Sequence, residues 1–368
     1  MFMQEERKKI LEMIQDGKLS AEEAMGLLEE LDKASQESEA KEQKLQNELS
    51  TVVVDKKSEG STQDTFKKNI QSSKEKIIDF VESAFKKIKE TDLDFNFGKS
   101  VEVSHIFQHD HDFLNEVDVD IANGKIKIAA WDHNDVRVEC EAKVYRVEDI
   151  EEARKNFLEE VDFTIENGKL RFKVREKSIK VDTIMYIPRK EYEDIHIRMF
   201  NGAITTESLK SENLKAKTAN GAIHIMQVTG DSCELETANG MITIADTNFN
   251  DLEAETLNGA INADGYFKKL DVQTFNGEII CTNSGMDCDS IHAKSITGKV
   301  QLTLPTGKAI EGELKSNLGS FNVTLEGMTI IEEKSDVVQK VLKFKTVKEE
   351  VPVLHVFAET KTAAITVS

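Results

Sequence analysis

The chain has 368 residues, and its 68 acidic side chains against 48 Lys and Arg give a formal net charge of -20. That excess of carboxylates argues against a nucleic-acid partner, because backbone binding depends on neutralising phosphates with Lys and Arg; a cationic partner fits better. A hydrophobic content of 39% is enough for a sizeable core, no run of eighteen apolar residues offers an ordinary spanning helix, and Cys140, Cys233, Cys281 and Cys288 lie too far apart for a CxxC metal or redox motif.

The amino terminus, MFMQEERKKILEMIQDG, is charged within its first six residues and lacks the apolar stretch of a secretory signal. The expectation is cytoplasmic residence, with peripheral membrane attachment and surface exposure left open. Residues 1–34 read as a helical hairpin. Ile10 and Ile14 stand one turn apart, Asp16-Gly17 makes the turn, and Ser20 with Glu23 forms a capping box in which each side chain satisfies an orphan backbone donor. So small a unit buries little by itself, so self-association or docking is expected.

Residues 35–65 are mostly Ser, Glu, Gln, Lys and Asp, a composition that does not offset the entropy of ordering, and read as a disordered tether. Residues 66–98 carry an amphipathic helix with Ile70, Ile77, Val81, Phe85 and Ile88 on one stripe. From 66 to 90 seven lysines face four acids. Such a helix either lies on an anionic membrane surface or partner, or caps one end of the domain that follows.

From residue 99 to 368 the hydrophobic period changes to two. Val117, Val119 and Ile121 alternate with Asp118 and Asp120, and Val136 to Val144 alternate likewise, with a helical insertion at 147–161. Asn-Gly then stands at 201, 220, 239, 258 and 276, with Thr297-Gly298 as a sixth copy, so the intervals are 19, 19, 19, 18 and 21. Two residues after each Gly come Ile204, Ile223, Ile242, Ile261, Ile279 and Val300. Two before each Asn from 220 onward come Thr218, Thr237, Thr256 and Thr274, then Ser295. Like residues in like columns predict a mainly β fold, a parallel β-solenoid of about 19-residue rungs preceded by the amino-terminal hairpin and amphipathic helix. An antiparallel meander is the alternative. Asn-Gly is read as the sharp arc between strands, where a positive φ suits Gly and is tolerated by Asn. The Thr column is read as a structural ladder, and ETKTAAITV (359–367), which repeats ETANGMITI (236–244), as a final rung.

The hairpin EERKKILEMIQDGKLSAEEAMGLLEEL, the bridge DLDFNFG (92–98), ECEAKVYRVED (139–149), the repeated TANG and ELKSNLGS (313–320) together resemble the YvlB-like proteins of Gram-positive bacteria. These combine a YvlB/LiaX-type helical domain with an adhesin-type β-strand-repeat domain. The resemblance implies a role in the cell-envelope stress response, beside phage-shock-type membrane proteins and regulators that respond to cationic antimicrobial peptides. It implies no catalytic residues.

Candidate chemistry is sparse. His105, His109 and His111 crowd with Asp110 and Asp112 into a metal-like cluster, but without a second group of ligands they read as a polar loop. No nucleotide, hydrolase or zinc-protease motif occurs, and no cofactor is expected. A polysaccharide-active β-helix enzyme would need paired carboxylates and aromatic platforms, whereas the chain has a single Trp and four Tyr. The outward positions of the second strand are Lys215 and Lys217, then Glu234, Glu236, Glu253, Glu255 and Asp271 on three adjacent rungs. This acidic face either discourages aggregation or receives a cationic peptide or basic partner. With the role that the resemblance implies, the expectation is a non-enzymatic sensor or scaffold of envelope stress, with a surface adhesin or structural solenoid as the alternative.

Overall fold

The computed structural model describes residues 99–110, 113–336, 339–346 and 352–368. The hairpin expected at 1–34, the tether at 35–65, the helix carrying Ile70, Ile77, Val81, Phe85 and Ile88, and His111 lie outside the described residues.

The repeat builds rungs of one short and one long strand. Short strands β8 (Ile204–Glu207), β10 (Ile223–Met226), the start of β12 (Ile242–Asn258), the start of β13 (Ile261–Asn276), β14 (Ile279–Asn283) and β16 (Val300–Thr303) pair in parallel. The register sets Ile204, Ile223, Ile242, Ile261, Ile279 and Val300 side by side, all fully buried. Long strands β7 (Glu191–Asn201), β9 (Lys210–Asn220), β11 (Thr229–Asn239), the ends of β12 and β13, and β15 (Ser290–Ser295) stack Leu214, Cys233, Leu252, Leu270 and Ile291 in the facing column. Each Ile or Leu so enclosed contributes about 1.5–3 kcal/mol relative to exposure. The parallel pairing decides for the β-solenoid over the meander.

The Thr, Asn and Gly of the Thr-x-Asn-Gly motif each have a separate physical duty. Thr218, Thr237, Thr256 and Thr274 face inward and donate Oγ1–H to the carbonyls of Gly202, Gly221, Gly240 and Gly259 at 2.9–3.1 Å. Each Asn donates its side-chain amide to the Oδ1 of the Asn one rung earlier, from Asn276 back to Asn123. Gly is required by space: a Cβ on Gly240 would stand 1.9 Å from the Gly221 carbonyl oxygen. The expected positive φ holds at Gly202 (140°) but not at Gly221, Gly240 or Gly259. The left-handed residues sit instead at the corner after the short strand, at Ser208, Gln227 and Asp246, with φ of 56°, 55° and 54°.

Both ends depart from simple winding. At the amino-terminal end β2 (Glu116–Trp131) forms a rung between β7/β8 on one side and β5 (Lys169–Val174) with β6 (Ile179–Pro188) on the other. Antiparallel strands β3 (Asp135–Tyr145), β1 (Ser100–Asp110) and β4 (Val161–Glu166) continue outward from β6 and β5. The helix α1 (Ile150–Glu160) then covers this end. Asp149 caps it by accepting the Glu152 N–H at 2.8 Å, and Ala153 and Phe157 are buried against β1, β3 and β4.

The segment 359–367 does form a rung, as β21 (Leu354–Thr360) and β22 (Ile365–Val367), but not the last one. It is inserted between β15/β16 and the pair β17 (Ile310–Ser316) and β18 (Phe321–Val323). The chain lays down the outer rung first, makes the antiparallel hairpin β19 (Met328–Ser335) and β20 (Lys340–Thr346) on β17, and then returns to fill the gap.

Candidate functional site

The outward side chains of the long strands form two columns along one wall. In register they read His196 and Arg198, Lys215 and Lys217, Glu234 and Glu236, Glu253 and Glu255, Asp271 and Gln273, then His292 and Lys294. Alternation fixes this placement, since the residues between them are the buried Ala216, Leu235, Ala254 and Val272. Sequence spacing therefore brings Glu234, Glu236, Glu253, Glu255 and Asp271 together on three adjacent rungs.

The electrostatics differ from an open acidic strip. Lys217 is buried, at 5% exposure. Its ammonium lies 2.8 Å from Glu234 Oε1 and also holds Glu236, while Lys215 holds the other oxygen of Glu234. Burial opposes the charge of Glu234, but Lys217 and Lys215 outweigh it and keep the carboxyl well below the usual range. For Glu236 burial dominates over Lys217, with Glu234 adding repulsion, so its carboxyl is pushed up. The lysine rung thus neutralises the first acidic rung. At the far side His292 Nδ1 meets Asp271 Oδ1 at 3.0 Å, and Gln273 donates to the same oxygen at 3.0 Å. His292 stacks on Phe357, with Lys315 on that ring's other neighbouring rung. Glu253, Glu255 and Asp271 form the centre of the face and are half-buried, with 40% of the Asp271 side chain exposed.

His105 and His109 belong to strand β1, not to a polar loop. They share one face but stand four residues apart, roughly 13 Å at strand rise. His105 packs against Phe107 at 4.4 Å, and burial followed by Arg154 lowers its pKa. Among the described residues no group of three or more His, Cys, Asp and Glu is arranged to hold a metal ion.

All four cysteines are buried free thiols, and burial raises each. A shallow recess of about 420 Å³ opens at the rung corners beside Arg189, Lys190, Glu191, Ser208, Lys210 and Gln227. Its one carboxylate, Glu191, is ion-paired with Lys210 at 3.1 Å, which leaves no second carboxylate for glycoside chemistry there. The burial of Lys217, on the outward column where the sequence placed it, is what sequence reasoning missed. Its signal was present, a cationic rung directly before an acidic one at the 19-residue interval.

Comparison with known proteins gives two family matches. The family described as Toastrack DUF4097 matches residues 114–350, and the SHOCT-like domain matches residues 5–36. YvlB of Bacillus subtilis (strain 168), described as uncharacterized, is 43% identical over 363 residues, 99% of this chain and 98% of that protein. Among solved structures, an adhesin candidate from Bacteroides fragilis covers 72% of this chain and 97% of its own at 10% identity, with a TM-score of 0.38. A lipid-binding candidate from Parabacteroides distasonis covers 72% and 96% at 10% identity, with a TM-score of 0.36.

Proposed function

The chain belongs to the Toastrack DUF4097 family and is a full-length relative of YvlB, and from that premise we propose that it is a non-enzymatic scaffold of the cell-envelope stress response. It acts by binding. The solenoid wall offers the acidic centre Glu253, Glu255 and Asp271 to a cationic peptide or a basic partner, and the amino-terminal segment engages a membrane protein of the phage-shock type or another envelope-stress regulator.

The observation that carries this reading is the register of the acidic rungs. Like charges opposite one another on neighbouring strands disfavour a sheet by about 0.2–1 kcal/mol each, and the register sets Glu253, Glu255 and Asp271 on the two rungs that follow the lysine-paired Glu234 and Glu236. An incoming cation relieves that repulsion. Fluorescence anisotropy with a labelled amphipathic cationic peptide tests it: binding should be lost at high salt, since exposed charges are screened beyond about 8 Å at physiological ionic strength. It should weaken in a Glu253→Gln, Glu255→Gln, Asp271→Asn variant that keeps the wild-type melting temperature. Equal affinity in the triple variant rejects the reading.

A further inference from the structure

The two walls of the solenoid end at different heights. At the amino-terminal end the short-strand wall continues past β2 through β6, β3 and β1, and the long-strand wall through β5 and β4. The difference is covered by α1, whose Ala153 and Phe157 are buried there. At the carboxy-terminal end both walls reach the rung β17/β18. Beyond it the long wall adds β20 and β19, whereas among the described residues β18 pairs with β22 alone. The result is a step two strands high, about 10 Å at the usual strand spacing.

The step has an apolar lining. Its floor is the open edge of β18, where Phe321 and Val323 are only partly buried although they pack on the core. Its wall is the inner face of the β19–β20 hairpin. Phe344, seated against Gly312, is fully buried, but its cross-strand partner Ile330 is 48% exposed, and among the described residues no short strand lies opposite it. Leu325 and Met328 are half-buried beside it. The outer edge of β19 is protected in the manner of a strand that must not pair. It carries a register break between Ile330 and Glu332, and Glu332 is ion-paired with Lys334 and Lys343. The opening is therefore confined to the inside of the step.

We propose that this step is a strand acceptor, filled in cis by Thr51-Val52-Val53-Val54 of the same chain. Each short strand supplies a triplet whose first and third residues face the core: Ile223-His224-Ile225, Ile242-Thr243-Ile244, Ile365-Thr366-Val367 and Phe321-Asn322-Val323. Between residues 35 and 65 only Val52-Val53-Val54 has an apolar residue at both such positions, and it is wholly β-branched. Added on β18, Val52 and Val54 would extend the column of Phe321 and Val323 and cover Ile330. The chain is long enough. About 45 residues join this run to β1, and even at the shortest regular rise of about 1.5 Å per residue they would span roughly 70 Å. The short-strand wall from β1 to β18 is roughly 55 Å high. The inference is independent of the acidic face. It ties the segment matched by the SHOCT-like domain to the end of the solenoid farthest from β1.

Hydrogen exchange on the full-length chain tests it. Amides of residues 51–54 and 321–323 should both be protected, and in a Val52→Asp, Val54→Asp variant both should exchange at least about tenfold faster while the melting temperature of the solenoid holds. Cysteine pairing supplies the second measurement. Oxidation of a Val53→Cys, Asn322→Cys variant should give a link within one chain, the native thiols being buried. Exchange of residues 51–54 at the free-peptide rate in the wild type overturns the proposal. So does a link recovered only as a covalent dimer, which would assign the step to a second copy.

Discussion

Asn239 donates its side-chain amide to Oδ1 of Asn220 at 3.0 Å, and its own Oδ1 accepts from Asn258 at 2.9 Å. Every member of this ladder is both donor and acceptor, so removing one leaves two half-buried amide groups without their partners. Asn239→Ala should cost about 1–3 kcal/mol, seen as a fall in the urea midpoint at unchanged slope. Asn239→Asp should be worse at neutral pH, because it sets a carboxylate against Asn220 Oδ1, and should recover as the pH falls and the carboxyl becomes a donor again. Wild-type stability of both variants would show that the ladder is a by-product of the backbone register.

Gly240 answers a different requirement. Its missing Cβ is replaced in space by the Gly221 carbonyl, which also accepts the Thr237 hydroxyl at 2.9 Å. Gly240→Ala should force the rungs apart and cost about 3 kcal/mol or more, whereas Gly327→Ala on the surface turn before β19 should cost about 1 kcal/mol for its positive φ alone. Thermal melts of the two variants separate close approach from backbone conformation. Equal losses would reject it.

Recurrence at a fixed interval made the rungs legible: the Ile column and the Thr column need no tertiary information, because each copy repeats the same inward position. The order of the terminal rungs was not legible. ETKTAAITV matches the repeat, but nothing local to it says that β17 and β18 will already occupy the next level. The duty of Asn was hidden for another reason. A dipeptide known for positive φ serves here through its side chain, which only the stacked register exposes. On the candidate face the residues were found and their charge state was not, since the burial of Lys217 depends on side chains from two neighbouring rungs.

Lys217 sets the pH response of that face. In the wild type Glu234 is held below its ordinary value of 4.5, so the stability it contributes is present above pH 4.5 and lost as the pH falls below it. Lys217→Met removes the shared cation from Glu234 and Glu236, so burial raises both carboxyls relative to the wild type, with Lys215 still holding Glu234. Above pH 4.5 the folded variant therefore binds more protons than the folded wild type. Its stability relative to the wild type should thus rise on acidification toward pH 4.5, after an initial loss of about 3–5 kcal/mol at neutral pH. Denaturant midpoints at half-unit pH steps give the two slopes. Parallel curves would mean that Lys217 is not the compensating charge.

The four thiols test how closed the core is. Burial pushes Cys140 and Cys281 up to about 12 and Cys288 up to about 11, and raises Cys233 with Glu234 adding to the effect. Thiol reagents attack the thiolate, so the native protein at pH 8 should give almost no reaction and the urea-unfolded chain should give all four. Fast labelling of one site in the folded state would locate a breathing rung. Cys288 is the most informative position, because its carbonyl is held by the buried Lys308 ammonium, which also bonds the Met286 carbonyl at 2.7 Å.

His196 gives the sharpest acid response. Burial lowers its pKa from 6.5 to about 4, with Arg198 adding to the effect and Lys215 and Lys217 on the next rung acting the same way; Asp118, 3.8 Å away, opposes them only partly. Its folded value lies below the unfolded one, so the unfolded chain binds the extra proton between those two values. Stability should be fully present above pH 6.5 and decline as the pH falls toward 4. His196→Gln keeps a polar side chain without the titration and should flatten that part of the stability curve. If the slope between pH 6.5 and 4 is the same in the variant, the acid sensitivity of the wall originates elsewhere, and an imidazole NMR titration would then place His196 near its ordinary value.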